Sequence, residues 1–165
     1  MSWRAIFRPG MRAYWLPFLA GIVLAVSAFL PWVTLGEESL AGFPDVAALW
    51  IIGLGVLASV LAFPSMLTRR NSRHPLLLIG LVALGIDVLS WRIAPRTVEN
   101  RALVRSQAVA IVEHTPIGET PRASVGVGIY VGLVASALLT AFGLTIVIKR
   151  ASTAYAVVDP NDDVD

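Results

Sequence analysis

The 165-residue chain is 56% apolar and only 15% charged, with a mean hydropathy of +0.74, against about 45–50% apolar and about 25% charged residues in a soluble domain. That balance belongs in a bilayer and leaves no room for an additional globular domain of the usual size. The formal charge of +2 is carried in small basic groups at the ends of apolar runs, as in membrane anchors rather than nucleic-acid surfaces, and the absence of cysteine removes disulfides, thiolate metal sites, cysteine nucleophiles and a cysteine-linked lipid anchor.

Taken in chain order, residues 1–12 open with W-R-A-I-F-R, in which Trp3, Ile6 and Phe7 share a helical face while Arg4 and Arg8 reach lipid phosphates. This is the pattern of a short amphipathic anchor on the membrane surface. Four apolar runs follow, over 13–35, 46–64, 75–91 and 125–148. Each is close to the roughly 17–25 residues that carry a helix across about 30 Å of hydrocarbon, where only a helix satisfies its own backbone. The expected fold class is therefore an all-α membrane protein, a bundle over 13–150 with four transmembrane helices and one longer outer loop, 92–124, between helices three and four. The tail 151–165 is too polar and short to fold alone.

In the first run, Trp15 and Trp32 are 17 residues apart, about 25 Å along a helix, which predicts indoles in opposite aromatic belts. Pro31 then falls in the last turn, so A-F-L-P-W reads as the exit from the membrane. A cleaved signal peptide is the competing reading, since Val26-Ser27-Ala28 follows Arg4, Arg8 and Arg12. Against it, the run exceeds an h-region of about 7–15 residues and continues through the cleavage site.

Basic residues set the orientation. Arg4, Arg8 and Arg12 precede span one, Arg69, Arg70 and Arg73 lie between spans two and three, and Lys149 with Arg150 follows span four, whereas the first connection holds Glu37, Glu38 and Asp45 and no basic residue. The positive-inside rule then predicts a multi-pass protein of the cell inner (plasma) membrane with both termini cytoplasmic. The loop 92–124 dissents with Arg92, Arg96, Arg101, Arg105 and Arg122, offset in part by Glu99, Glu113 and Glu119. Within it, Thr97–Val112 suits a helix on the membrane and R-S-Q-A-V-A-I-V-E also suits a strand; a short helix plus an extended segment is expected. Spans one and three share a Gly and a Trp eleven apart, which fits either a duplicated hairpin or chance among similar compositions.

Candidate sites are few. Asp87 is the only ionisable residue inside a span, which makes it a functional candidate by default; its place one turn before Trp91 favours pairing with Arg92 or Arg96, or water, over a proton relay. His74 lies at the mouth of span three and His114 in the outer loop, neither at the mid-depth where a haem ligand is wanted, and His114 with Glu113 has no second histidine to complete a metal site. With no Ser-His-Asp set, phosphate loop or carboxylate pair, no catalytic residue, metal or cofactor is expected and the chain does not read as an enzyme.

The clearest local pattern is in span four, where Gly128, Gly132, Ser136 and Thr140 recur every four residues and line one stripe that lets helices approach closely. Shorter versions are Pro17, Gly21, Ala25 and Gly55, Ser59. Such a stripe serves internal packing or a docking face for another subunit. In the outer loop Arg96, Arg101 and Arg105 stand with the apolar Val109 and Ile111, a mixed surface suited to docking; the same arginines also suit lipid phosphates.

P-W-V-T-L closing span one, a basic inner loop, and V-G-V-G-I-Y-V-G-L-V-A-S-A-L-L opening span four together resemble small, mostly uncharacterised bacterial four-span integral membrane proteins. The resemblance implies a fold and no activity. Tetraspanins share the long loop between spans three and four, but their cysteine motif is absent here. The function expected is that of a non-enzymatic accessory or structural subunit of a larger membrane complex, partnered by the bilayer and by other membrane subunits or itself, with no nucleic acid; an oligomeric transporter or channel component is the alternative. Because the chain has no cysteine, single cysteines report sidedness cleanly. Introduced at Ser39 and Ser106 they are expected to label from outside intact cells, and at Ser72 and Ser152 not; labelling at Ser72 would reverse the orientation.

Overall fold

The computed structural model describes residues 14–68, 73–114, 116 and 121–151. The expected anchor over 1–12, the arginines at 69 and 70, and the tail beyond 151 lie outside the described residues. Among the described residues the elements run α1 (Trp15–Ser27), β1 (Pro31–Leu35), β2 (Glu38–Ala41), α2 (Val46–Thr68), α3 (Arg73–Glu113), β3 (Ala123–Val125) and α4 (Val127–Ala151). Three helices, α2, α3 and α4, are long and apolar enough to cross a membrane. Their outward faces carry large exposed apolar side chains such as Trp50, Val60, Leu78 and Val134, as a lipid-facing surface requires, and the protein is a helical membrane protein.

The first run departs from the expected helix over 13–35. α1 covers 13 residues, about 20 Å, and Pro31–Leu35 is a strand instead. The cause is local: the carbonyl of Ser27 would take its helical bond from residue 31, and proline has no N–H to give. Ser27 O accepts instead from Leu30 N at 3.2 Å and from Trp32 Nε1 at 3.0 Å. Trp32 is thereby turned inward, 4% exposed, with its indole over Gly42 and Gly128. It is a core residue and not a member of an aromatic belt.

β1 is the centre of a three-stranded antiparallel sheet of order β2-β1-β3. β1 and β2 form a hairpin through Gly36 and Glu37 with Leu35 opposite Glu38; Gly36 has φ +61°, the left-handed value that a two-residue hairpin turn asks of its first residue. β3 returns along the other edge with Val33 opposite Val125, and the Thr34 and Ser124 hydroxyls share a hydrogen bond of 2.6 Å.

The third element differs most from expectation. Instead of a span over 75–91 and a separate outer loop, one helix of 41 residues runs from Arg73 to Glu113, about 60 Å at about 1.5 Å per residue. Pro95 removes one backbone donor without ending it. The stretch 86–117 contains no glycine, and its four alanines and four arginines are strong helix formers that carry the helix onward. It stops at His114, whose φ of 53° is the left-handed position common just past a helix end. R-S-Q-A-V-A-I-V-E is thus helical, and the extended segment expected in this region is β3.

Laterally the helices follow the order α2–α1–α4–α3, and α2 meets α3 only sparsely. Small residues set both main seams. Gly21 and Ala25 of α1 face Gly55 and Ser59 of α2, so that a Cβ on Gly55 would lie 2.6 Å from Gly21 O and Ala25 N. Between α3 and α4 the antiparallel pairs are Leu77 with Gly143, Gly80 with Thr140, and Asp87 with Gly132. Leucine at Gly55 or Gly132 is therefore expected to cost on the order of 1–3 kcal/mol by forced separation, read as thermal stability in detergent. Leucine at Gly53, around which a Cβ meets nothing within 4 Å, and Val131→Leu are the matched controls and should stay near the wild type.

Candidate functional site

Two regions hold the chemistry-bearing residues: the sheet end of the molecule, where α3 extends past its apolar run, and the α3–α4 seam.

At the sheet end, residues 92–113 of α3 form an arm about 33 Å long. It is held beside the sheet by Glu99, whose Oε1 accepts from Ala123 N at 3.3 Å, so the free edge of β3 has a partner at that point. The helical period of about 3.6 divides the docking residues expected from sequence between two faces. Arg101, Arg105 and Val109 face the hairpin and line a cavity of about 550 Å³ against Glu38 and Leu40. Arg96 and Ile111 belong to the other side, with Val104; Val104 and Ile111 are 62% and 75% exposed, unusually open for apolar residues on a helix outside the expected span.

A second cavity of about 590 Å³ lies next to the first, between the start of α2 and α3, lined by Val46, Leu89, Ile93 and Ala94 and by Trp32 and Val33 of β1. The two share Leu40, Val98 and Arg101 and are continuous along the arm. Glu38 and Leu40, as walls of this groove, were not recognisable from sequence; the only local signal, E-S-L-A after a glycine turn, is too short to mark a strand by itself.

Asp87 does not sit where the sequence suggested. It is fully buried and its carboxylate faces Gly132, where an added Cβ would come within 2.9 Å of Oδ1. The expected partners are on the wrong side: at about 100° per residue, Arg92 lies about 140° and Arg96 about 180° around α3 from Asp87. Both carboxylate oxygens are buried without a hydrogen-bond partner. The Ser136 hydroxyl is the polar group beside them, yet it donates to Leu133 O in its own helix at 3.1 Å.

The small-residue stripe of α4 points into the protein along its whole length. Gly128 meets Trp32 and the Ser27 carbonyl, Gly132 and Ser136 meet Asp87, and Thr140 meets Gly80, while the Thr140 hydroxyl donates to Ser136 O at 2.9 Å. Among the described residues no group of three or more His, Asp and Glu is placed to hold a metal ion. Compared with known proteins, the chain matches no family model, no curated protein and no solved structure.

The unpartnered carboxylate generates a signed expectation. Asp87→Asn keeps the shape and supplies an N–H able to donate to Ser136 Oγ, replacing a buried orphan by one hydrogen bond worth about 1 kcal/mol. The variant should melt at or above the wild-type temperature in detergent. Melting far below it would mean that the carboxylate has an essential partner.

Proposed function

We propose that this chain is a non-enzymatic accessory or structural subunit of a larger membrane complex, crossing the inner (plasma) membrane four times with both termini cytoplasmic and engaging its partner through the arm of α3. The observation that carries this reading is the apolar face of Val104 and Ile111, left open by the rest of the chain on a helix tied to the sheet by Glu99. A rigid apolar face beside exposed arginines is the composition of an interface core and rim. The α4 stripe, occupied by internal contacts, gives little room for a partner there. The alternative of an oligomeric transporter or channel draws on Asp87, an ionisable group inside the bundle; neither cavity of the groove reaches it.

The arm reading is tested by replacing Val104 and Ile111 together with serine. Because these side chains are exposed, thermal stability should change little, on the order of 0.5 kcal/mol per site. On native gels in mild detergent the large species of the wild type should give way to the lone chain. A variant that keeps the wild-type assembly would remove the arm from the proposal, and a wild type that runs alone would remove the subunit reading itself.

A further inference from the structure

The groove at the sheet end has a division of chemistry that partner docking on the opposite face of the arm does not use. We propose that it seats one glycerophospholipid with a phosphate–ethanolamine headgroup, taken from the leaflet at the sheet end of the bundle. Its apolar part opens where α2 and α3 pack sparsely, between Val46 at the start of α2 and the exposed Leu89 and Ile93, at the end of the apolar run of α3. A lipid tail enters there directly from the hydrocarbon. From Leu89 to Val98 the cavity follows α3 for about 14 Å, past the end of the apolar run and toward the arm.

The headgroup chemistry follows from what faces the adjoining cavity. Arg101 and Arg105, one helical turn apart, line it from α3 and Glu38 lines it from β2; among the described residues no ion pair joins Glu38 to either arginine. Two guanidinium forks on one wall suit a phosphate. The carboxylate opposite suits a cation, and a primary ammonium brings three N–H donors to it, whereas a choline has none and a glycerol headgroup brings no positive charge. The one other acid on the groove, Asp45, is engaged at the start of α2, where Oδ1 accepts from Ala47 N at 3.4 Å. Tail channel, cation pair and anion thus follow one another as acyl chain, phosphate and ammonium do along phosphatidylethanolamine, with Arg101 lining both cavities and Glu38 only the one farther from the hydrocarbon.

The test is native mass spectrometry of the full chain after exchange into equimolar palmitoyl-oleoyl phosphatidylethanolamine, phosphatidylcholine and phosphatidylglycerol. One phosphatidylethanolamine should stay bound with at least about a fivefold preference over the other two. Glu38→Gln should abolish the preference over phosphatidylglycerol while retaining a lipid. The pair Arg101→Ala with Arg105→Ala should lose the lipid, and Arg92→Ala, an exposed arginine of the same helix outside both cavities, should not. No retained lipid in the wild type, equal retention of the three lipids, an unchanged preference in Glu38→Gln, or equal loss in Arg92→Ala would each overturn the proposal. All four positions are exposed, and the Glu38→Gln comparison stands on its own if the double variant fails to fold.

Discussion

Inside a bilayer a backbone carbonyl that loses its helical donor has no water to turn to, and that constraint acts hardest at Ser27. Pro31 cannot supply the missing N–H, so Leu30 N and the Trp32 indole bond Ser27 O instead. Everything at the sheet end depends on this substitution. With the indole committed inward, the space beneath it admits only Gly42 on one side and Gly128 on the other, which places the end of the hairpin and the first turn of α4 together. β1 then lies between β2 and β3, and through Glu99 and Ala123 the sheet holds the arm of α3.

Lower in the bundle a different rule governs. Apolar side chains gain little by leaving lipid for protein, so helices associate through close backbone approach and the few polar contacts available. The Gly21/Gly55 contact and the Gly80/Thr140 contact follow that rule, with the hydroxyls of Ser59 and Thr140 bonded to carbonyls of Phe18 and Ser136. Asp87 breaks it. A carboxylate fully enclosed with no hydrogen-bond partner is a cost that sequences remove unless something is gained. Its place against Gly132 means that any group serving it must come from α4 or arrive with a small shift of one helix.

Much of the membrane-embedded architecture was legible because its signals are long. Val46–Thr68 and Val127–Ala151 match the expected second and fourth runs to within a few residues, since apolar length and bracketing charges are robust over about twenty positions. The sheet was invisible because its strands are three to five residues long and pair across the chain, leaving no periodicity to read. α3 was misjudged where local breakers met a continuing helix: Pro95 and clustered arginines look like an end, yet only one backbone bond is forfeited there. Asp87 reads in the sequence as a near neighbour of Arg92 and Arg96, but nearness in residue number says nothing of angle, and at about 100° per residue both arginines lie on other sides of α3. The small-residue positions could be found from sequence, whereas which of them face each other could not; only the lateral order of the helices decides that.

The pairing of β1 with β3 orders events during synthesis. Val33 and Val125 are direct neighbours in the sheet although 92 positions separate them in the chain. At about 5–20 residues per second the ribosome needs roughly 5–18 s to make that interval. The hairpin, being local, closes early, and throughout this time the second edge of β1 has no strand to pair with. A nascent chain of this protein therefore spends seconds with a half-built sheet at the membrane surface, in the interval when a chaperone, an insertase or another nascent copy has the best access to that edge.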